Sequence, residues 1–205
     1  METLSPAELR ILRRLDTPAK VQDFLDAMPM NFEPDGDTCM SPRRVLREKR
    51  AHCLEGAMFA AAALRLQGRP PLVLDLEATD DDHDHVVALF KDRGRWGAIS
   101  KTNHAVLRWR EPVYRTVREL AMSYFHEYFL DDGRKTLRAF SAPVDLSRFD
   151  KRGWMTAEED LWDVERHLYG VRHSAILGRG QVRRLRPAGP VEISAGKIVE
   201  WKRPR

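Results

Sequence analysis

Cys53 sits where the basic run Arg43 to Arg50 gives way to an apolar stretch that includes four consecutive alanines and ends at Gly68. If a helix starts at this cysteine, its unsatisfied first-turn N–H groups face the sulfur, and the positive end of the dipole favours thiolate over thiol. His52 and the arginines before it act in the same direction. A nucleophilic thiolate needs an imidazole to take its proton and return it to the leaving group. His85, opening the apolar run Val86 to Phe90, is the candidate. A helix-start cysteine also offers its own backbone N–H to an oxyanion. Gln22, on an earlier helical segment, is the candidate side-chain donor, the competing reading being a solvated helix residue. A small buried cysteine inside an alanine-rich helix is the bland alternative for Cys53.

A rival chemistry uses the same region. On an extended strand His83 and His85 share a face. With Cys53 or an aspartate from 80 to 84 they would make a three-ligand metal site, although neither C-x-x-C nor H-E-x-x-H is present. The favoured reading of the site needs no metal or other cofactor.

These residues have to be held by elements that the chain announces in order. Ser5-Pro6-Ala7-Glu8 reads as a capped helix start, followed by a second helix after Thr17-Pro18 and a short basic third after Ser41-Pro42. The cysteine helix is apolar on every side and therefore central, with Gly68 as its stop. Leu72 to Glu77, Val86 to Phe90 and Trp96 to Ser100 read as strands, the last two joined by a glycine turn at Gly94. They predict an antiparallel sheet packed on the cysteine helix. A long amphipathic helix is expected over Tyr114 to Leu130, and another from a capping box at Thr156 to Glu159 as far as Tyr169. A hairpin is expected between 191–193 and 198–201. The fold class is α+β in one domain over 1–205. Residues 1–50 form a helical cap, 51–105 the core, and 106–205 a part built of helix and loop.

The order of cysteine at a helix start, strand, histidine opening a strand, and tryptophan on the next strand resembles the transglutaminase-like superfamily. The likeness covers roughly residues 50 to 105. The run Ala51-His52-Cys53-Leu54-Glu55-Gly56 through His85-Val86-Val87 and Trp96-Gly97-Ala98-Ile99 looks more closely like a group of uncharacterised bacterial transglutaminase-like proteins. The resemblance implies a papain-like fold and a Cys-His-Asp triad, with Cys53 as nucleophile and His85 as base. Four residues after Trp96, where the family has aspartate, this chain has Ser100. Ser100 or Asn103 is then left to orient the histidine, with Asp84 and Asp92 as nearby acids and Trp96 as a wall of the cleft or core filler. The implied activity is thiol-dependent acyl transfer or hydrolysis of a peptide or protein amide. The alternatives are a catalytically silent peptide-binding or protein-binding cleft and the metal site.

Composition limits the remaining options. Of 205 residues, 42% are hydrophobic and 32% charged, which suits a soluble globular chain. The net charge of +4 and the absence of any zinc-finger, RNA-binding or basic-zipper spacing argue against nucleic acid as partner. The longest apolar run, Ala57 to Leu64, falls far short of the ~20 residues a membrane span needs. Two cysteines make no disulfide framework, and the early residues carry no apolar leader segment. A reducing, cytoplasmic compartment is expected.

Overall fold

A computed structural model describes residues 3–203. Three short helices come first: α1 (Pro6–Arg14), α2 (Pro18–Asp26) and α3 (Pro42–Glu48). Each starts as its sequence dictates, with Ser5, Thr17 and Ser41 as N-caps followed by proline. In α1 the box is closed in both directions between Ser5 and Glu8. All three pack on α4 (Cys53–Leu66), whose residues from Leu54 to Leu64 are buried without exception. Gly68 ends it with φ +78°, a conformation costly for any residue with a Cβ.

The sheet is antiparallel throughout and larger than the three strands expected. It comprises β1 (Leu72–Glu77), β2 (His85–Asp92), β3 (Arg95–Ser100), β4 (Arg110–Tyr114), β5 (Ala139–Ser141), β6 (Val144–Asp145) and β7 (His173–Ala175). The strand order is β4-β3-β2-β1-β5-β7, with β6 also on β1. A tight turn at Arg93 and Gly94, both at positive φ, joins β2 to β3. The two faces bury different sets. Val73, Val86, Ala88 and Ile99 face the α4 side, whereas Leu74, Leu76, Val87 and Leu89 pack against α5 (Val117–Tyr124). With both faces covered, β1 and β2 are apolar at nearly every position. Within that pattern Asp75 is a conspicuous exception.

Three expected elements differ. The stretch 114–130, expected as one long helix, instead starts at the last residue of β4 and contains only the eight residues of α5 and one 3-10 turn at Phe125–Glu127. Thr116 supplies the cap, and the aromatic residues beyond the helix leave its axis to reach the sheet, Tyr128 donating its hydroxyl to the His83 carbonyl. The capping box at Thr156 does not start a helix; α6 spans Trp162–Gly170. Residues 155–161 dock on the start of α3 instead. Arg43 N–H bonds the Met155 carbonyl, Ser41 the Ala157 carbonyl, and Asp160 accepts from Cys39 N–H and Arg44. Tertiary bonds thus outweigh a local signal worth ~1 kcal/mol. The hairpin after residue 190 is replaced by α7 (Pro190–Gly196), after which Ile198 to Trp201 run along Asn103 to Ala105. Among the described residues no helix is long and apolar enough to cross a membrane.

Candidate active site

Cys53 is the first residue of α4, so the helix leaves its backbone N–H unused. Its neighbour His52 is the N-cap, and Glu55 at the third helical position reaches back to accept the His52 N–H at 3.0 Å. Glu55 is wholly buried. It also accepts from Asn31 Nδ2 at 3.0 Å, Thr38 Oγ1 at 2.7 Å and Met40 N–H at 3.0 Å, tying the 31–40 loop over the helix start.

Two imidazoles meet the Cys53 sulfur. Burial, the largest effect on the thiol, pushes its pKa up; hydrogen bonds from His52 and His85 and their charge more than reverse this and hold it well below the ordinary value. The two imidazoles therefore favour thiolate over thiol at Cys53. His52 is the matching cation. Burial opposes its charge, but the Cys53 sulfur, Glu55 and the Thr38 carbonyl together raise its pKa to about 10. His52 Nε2 lies 2.9 Å from the Thr38 carbonyl, an acceptor only, so that nitrogen carries a proton and Nδ1 is left for the sulfur. Glu55 Oε1 stands 3.4 Å from the same Nε2.

His85 begins β2 and is buried. Its Nε2 is 2.7 Å from Ser100 Oγ. Ser100 has one hydroxyl proton, and it goes to the Leu107 carbonyl at 2.5 Å. The hydroxyl must then accept from His85, which fixes the Nε2–H tautomer and turns Nδ1 toward the sulfur. Register explains the meeting: Ser100 pairs with Val87, two residues along β2 from His85 and on the same face. Leu107 delivers its carbonyl from φ +60°, a strained conformation for leucine, and its N–H is held by Glu127 at 2.8 Å.

The other expected site residues are elsewhere. Gln22 is no oxyanion donor, because its side chain is spent on the Ser100 backbone, donating to the carbonyl at 2.8 Å and accepting from the N–H at 2.9 Å. It is a buried brace for β3, neither solvated nor catalytic. Asn103 does not orient His85; its amide exchanges two hydrogen bonds with the backbone of Trp201. Trp96 packs on the α5 side of the sheet with Lys91 over its ring, away from the cleft. Asp84 caps the turn before β2 by accepting the Ala78 N–H, and Asp92 lies at the far end of the β2–β3 hairpin. His83 precedes the strand, so it shares no strand face with His85. Among the described residues no group of three or more His, Cys, Asp or Glu is arranged to hold a metal ion.

Sequence reasoning misses three participants. Glu55 carries a signal, a glutamate three residues after the cap position. Asp75 carries another, an acid inside the apolar strand Leu72–Glu77. His173, whose Nε2 lies 3.0 Å from Asp75 Oδ2, comes from β7, nearly a hundred residues away, and has none. The cleft that Cys53 opens on has a volume of about 1420 Å³ and is walled by β1, the loop before β2, and α6. No family model matches the chain, and none of the curated proteins is detectably similar to it in sequence.

Proposed function

We propose that this chain is a transglutaminase-like thiol acyltransferase or hydrolase acting on a peptide or protein amide. The reading is carried by one observation, a cysteine at a helix start that pairs with two histidines held in different ways. The cysteine helix against an antiparallel sheet, with histidine and serine on adjacent strands, supports a papain-like core.

Cys53 sulfur attacks the amide carbon, and the oxyanion forms near the free N–H at the start of α4. His52, backed by the Glu55 carboxylate and the Thr38 carbonyl, remains the standing cation. His85 has only a neutral hydroxyl behind it and is the one that passes on its Nδ1 proton. That proton goes to the leaving nitrogen as the C–N bond breaks and the amine departs, leaving a thioester. His85 then takes a proton from water or from a second amine, which attacks the thioester and restores the thiolate. Ser100 performs the orienting task that aspartate has in the family, by accepting the Nε2 proton.

The test is a pH profile of iodoacetamide alkylation at Cys53, together with mass detection of an acyl adduct from p-nitrophenyl acetate. The expected result is an alkylation midpoint far below the free-cysteine ~8.5, and an adduct lost in Cys53→Ala and slow to form in His85→Ala. An ordinary midpoint unchanged by His85→Ala, with no adduct, would overturn the reading and leave a binding cleft.

A further inference from the structure

Asp75 is the most deeply buried carboxylate facing the cleft, at 1% exposure, and it is only half used. Its Oδ2 is 3.0 Å from His173 Nε2. Its Oδ1 is buried yet has no hydrogen-bond partner. A carboxylate kept for a structural ion pair has both oxygens satisfied, since an orphaned buried acceptor costs ~1–3 kcal/mol. Burial disfavours the charge of Asp75, and the negative charge of Asp84 and then that of the Cys53 sulfur act in the same direction.

The surroundings have one sign. Carboxylates lining the cleft outnumber lysine and arginine by eleven to two, although the whole chain carries +4. One of those two cations, Lys101, is already spent on the Leu25 and Met28 carbonyls at the end of α2. Trp162 and Tyr169 of α6 also line the cleft, and Tyr169 lies within electrostatic reach of both Cys53 and Asp75. A carboxylate with one unpartnered oxygen, in a cleft that aromatic side chains also line, is a combination that suits a guanidinium or ammonium group, by a charged hydrogen bond and by cation–π attraction.

We propose that Asp75 is the anionic seat for a basic side chain of the substrate, so that the amide presented to Cys53 belongs to a peptide with arginine or lysine beside it. The proposal rests on the thiol acyl-transfer reading for the identity of the reacting bond. The seat itself does not depend on Cys53 turning over. Asp75 acts as a specificity residue, with His173 at Oδ2 while Oδ1 has no partner within the protein.

The probe is butylguanidine, with butylurea as its uncharged near-isostere, each tested for protection of Cys53 against iodoacetamide at about pH 9, where any thiol alkylates. Cys39 is fully buried, so alkylation reports Cys53. Each rate is normalised to that of the same protein without protector. Butylguanidine is expected to protect saturably at a concentration at least tenfold lower than butylurea. Asp75→Asn should erase that difference, while Asp80→Asn at the exposed rim should keep it. Equal protection by the two probes in the wild type, a comparison that needs no variant, would overturn the proposal. A guanidine preference that survives Asp75→Asn would also overturn it, leaving only attraction by the acidic rim. Because protection is read at alkaline pH, it stands or falls separately from the midpoint that tests the thiolate.

Discussion

His85 Nε2 and Ser100 Oγ stand 2.7 Å apart, and the hydroxyl already gives its own proton to the Leu107 carbonyl. The serine is therefore a fixed acceptor for the imidazole, with a direction of hydrogen bonding that no rotation of the hydroxyl can reverse without orphaning a carbonyl. A position where a carboxylate is expected from the family resemblance is filled by a relay of one donor and one acceptor.

Ser100→Ala removes the acceptor without adding volume. A hydrogen bond to a charged imidazole is worth ~1.5 kcal/mol, so the Cys53 alkylation midpoint should rise by about one pH unit. Ser100→Asp should not improve on the serine. A carboxylate has no proton for the Leu107 carbonyl, so two acceptors would face each other in a buried site, and the variant should be less stable than Ser100→Ala by ~2 kcal/mol in urea. An aspartate variant with faster alkylation and undiminished stability would show that the serine is a defect and not a relay.

Glu55 is the hub of the helix start. Replacing it with alanine leaves the Met40 and His52 N–H groups without an acceptor and takes one hydrogen bond each from Asn31 and Thr38, and should cost ~3 kcal/mol in urea unfolding. Glu55→Gln removes the charge that helps hold His52 protonated, but it also turns one acceptor oxygen into an NH2 that faces a backbone N–H, of His52 or of Met40. It should raise the Cys53 midpoint and lose part of the stability, less than alanine does because the other oxygen still accepts.

Gly56 is set by a close approach. A Cβ built there would fall 2.4 Å from Lys101 Cβ and 3.0 Å from its Cγ. Lys101 is itself fixed by two carbonyls of the α2 end and adjoins Ser100, so it has little room to give. Gly56→Ala is expected to destabilise the fold by ~1–3 kcal/mol, as overpacking does, and to slow Cys53 acylation by displacing Ser100 from His85. A variant as stable and as reactive as the wild type would mean that α4 and β3 slide apart freely.

The cysteine helix, the histidine strand and the strand ending at Ser100 are all legible in the sequence, because each combines an unambiguous period with a cap or a turn glycine. Even the partner of His85 is within reach, two strand positions from a known register. Gln22 and Asn103 are not legible in their true roles, since an amide reads the same whether it meets a ligand, a strand or a C-terminal segment. The helix expected from Thr156 fails for a related reason: Cys39, Ser41 and Arg43, more than a hundred residues away, claim the carbonyls and N–H groups that the capping box would have ordered. Asp75 is visible as an anomaly in an apolar strand. Its partner His173 is not, because β7 is too short to carry a period of its own.

Asp75 also makes a prediction about stability. Burial, and then the nearby Asp84 charge, push its pKa from the usual 3.8 up to about 7 against the opposing pull of His173. A carboxyl with a raised folded pKa binds more protons folded than unfolded between those two values, so stability falls as pH rises from 4 to 7 and is level above that. At ~1.4 kcal/mol per pH unit between the two values the ceiling is ~4 kcal/mol. His173 Nδ1 lies 2.8 Å from the Val171 carbonyl and donates to it, so holding the Asp75 carboxylate takes a second proton on Nε2. An asparagine in place of Asp75 would have no such need, since its amide can donate to the bare Nε2 with no charge to desolvate. Asp75→Asn should therefore be more stable than the wild type by ~2 kcal/mol at pH 8, with the gap closing toward pH 4. The measurement is Tm or urea midpoint across that range for both proteins. A gap that does not change with pH would mean that Asp75 has the same pKa folded and unfolded, and a gap of opposite sign would mean that its charge is already compensated without any ligand.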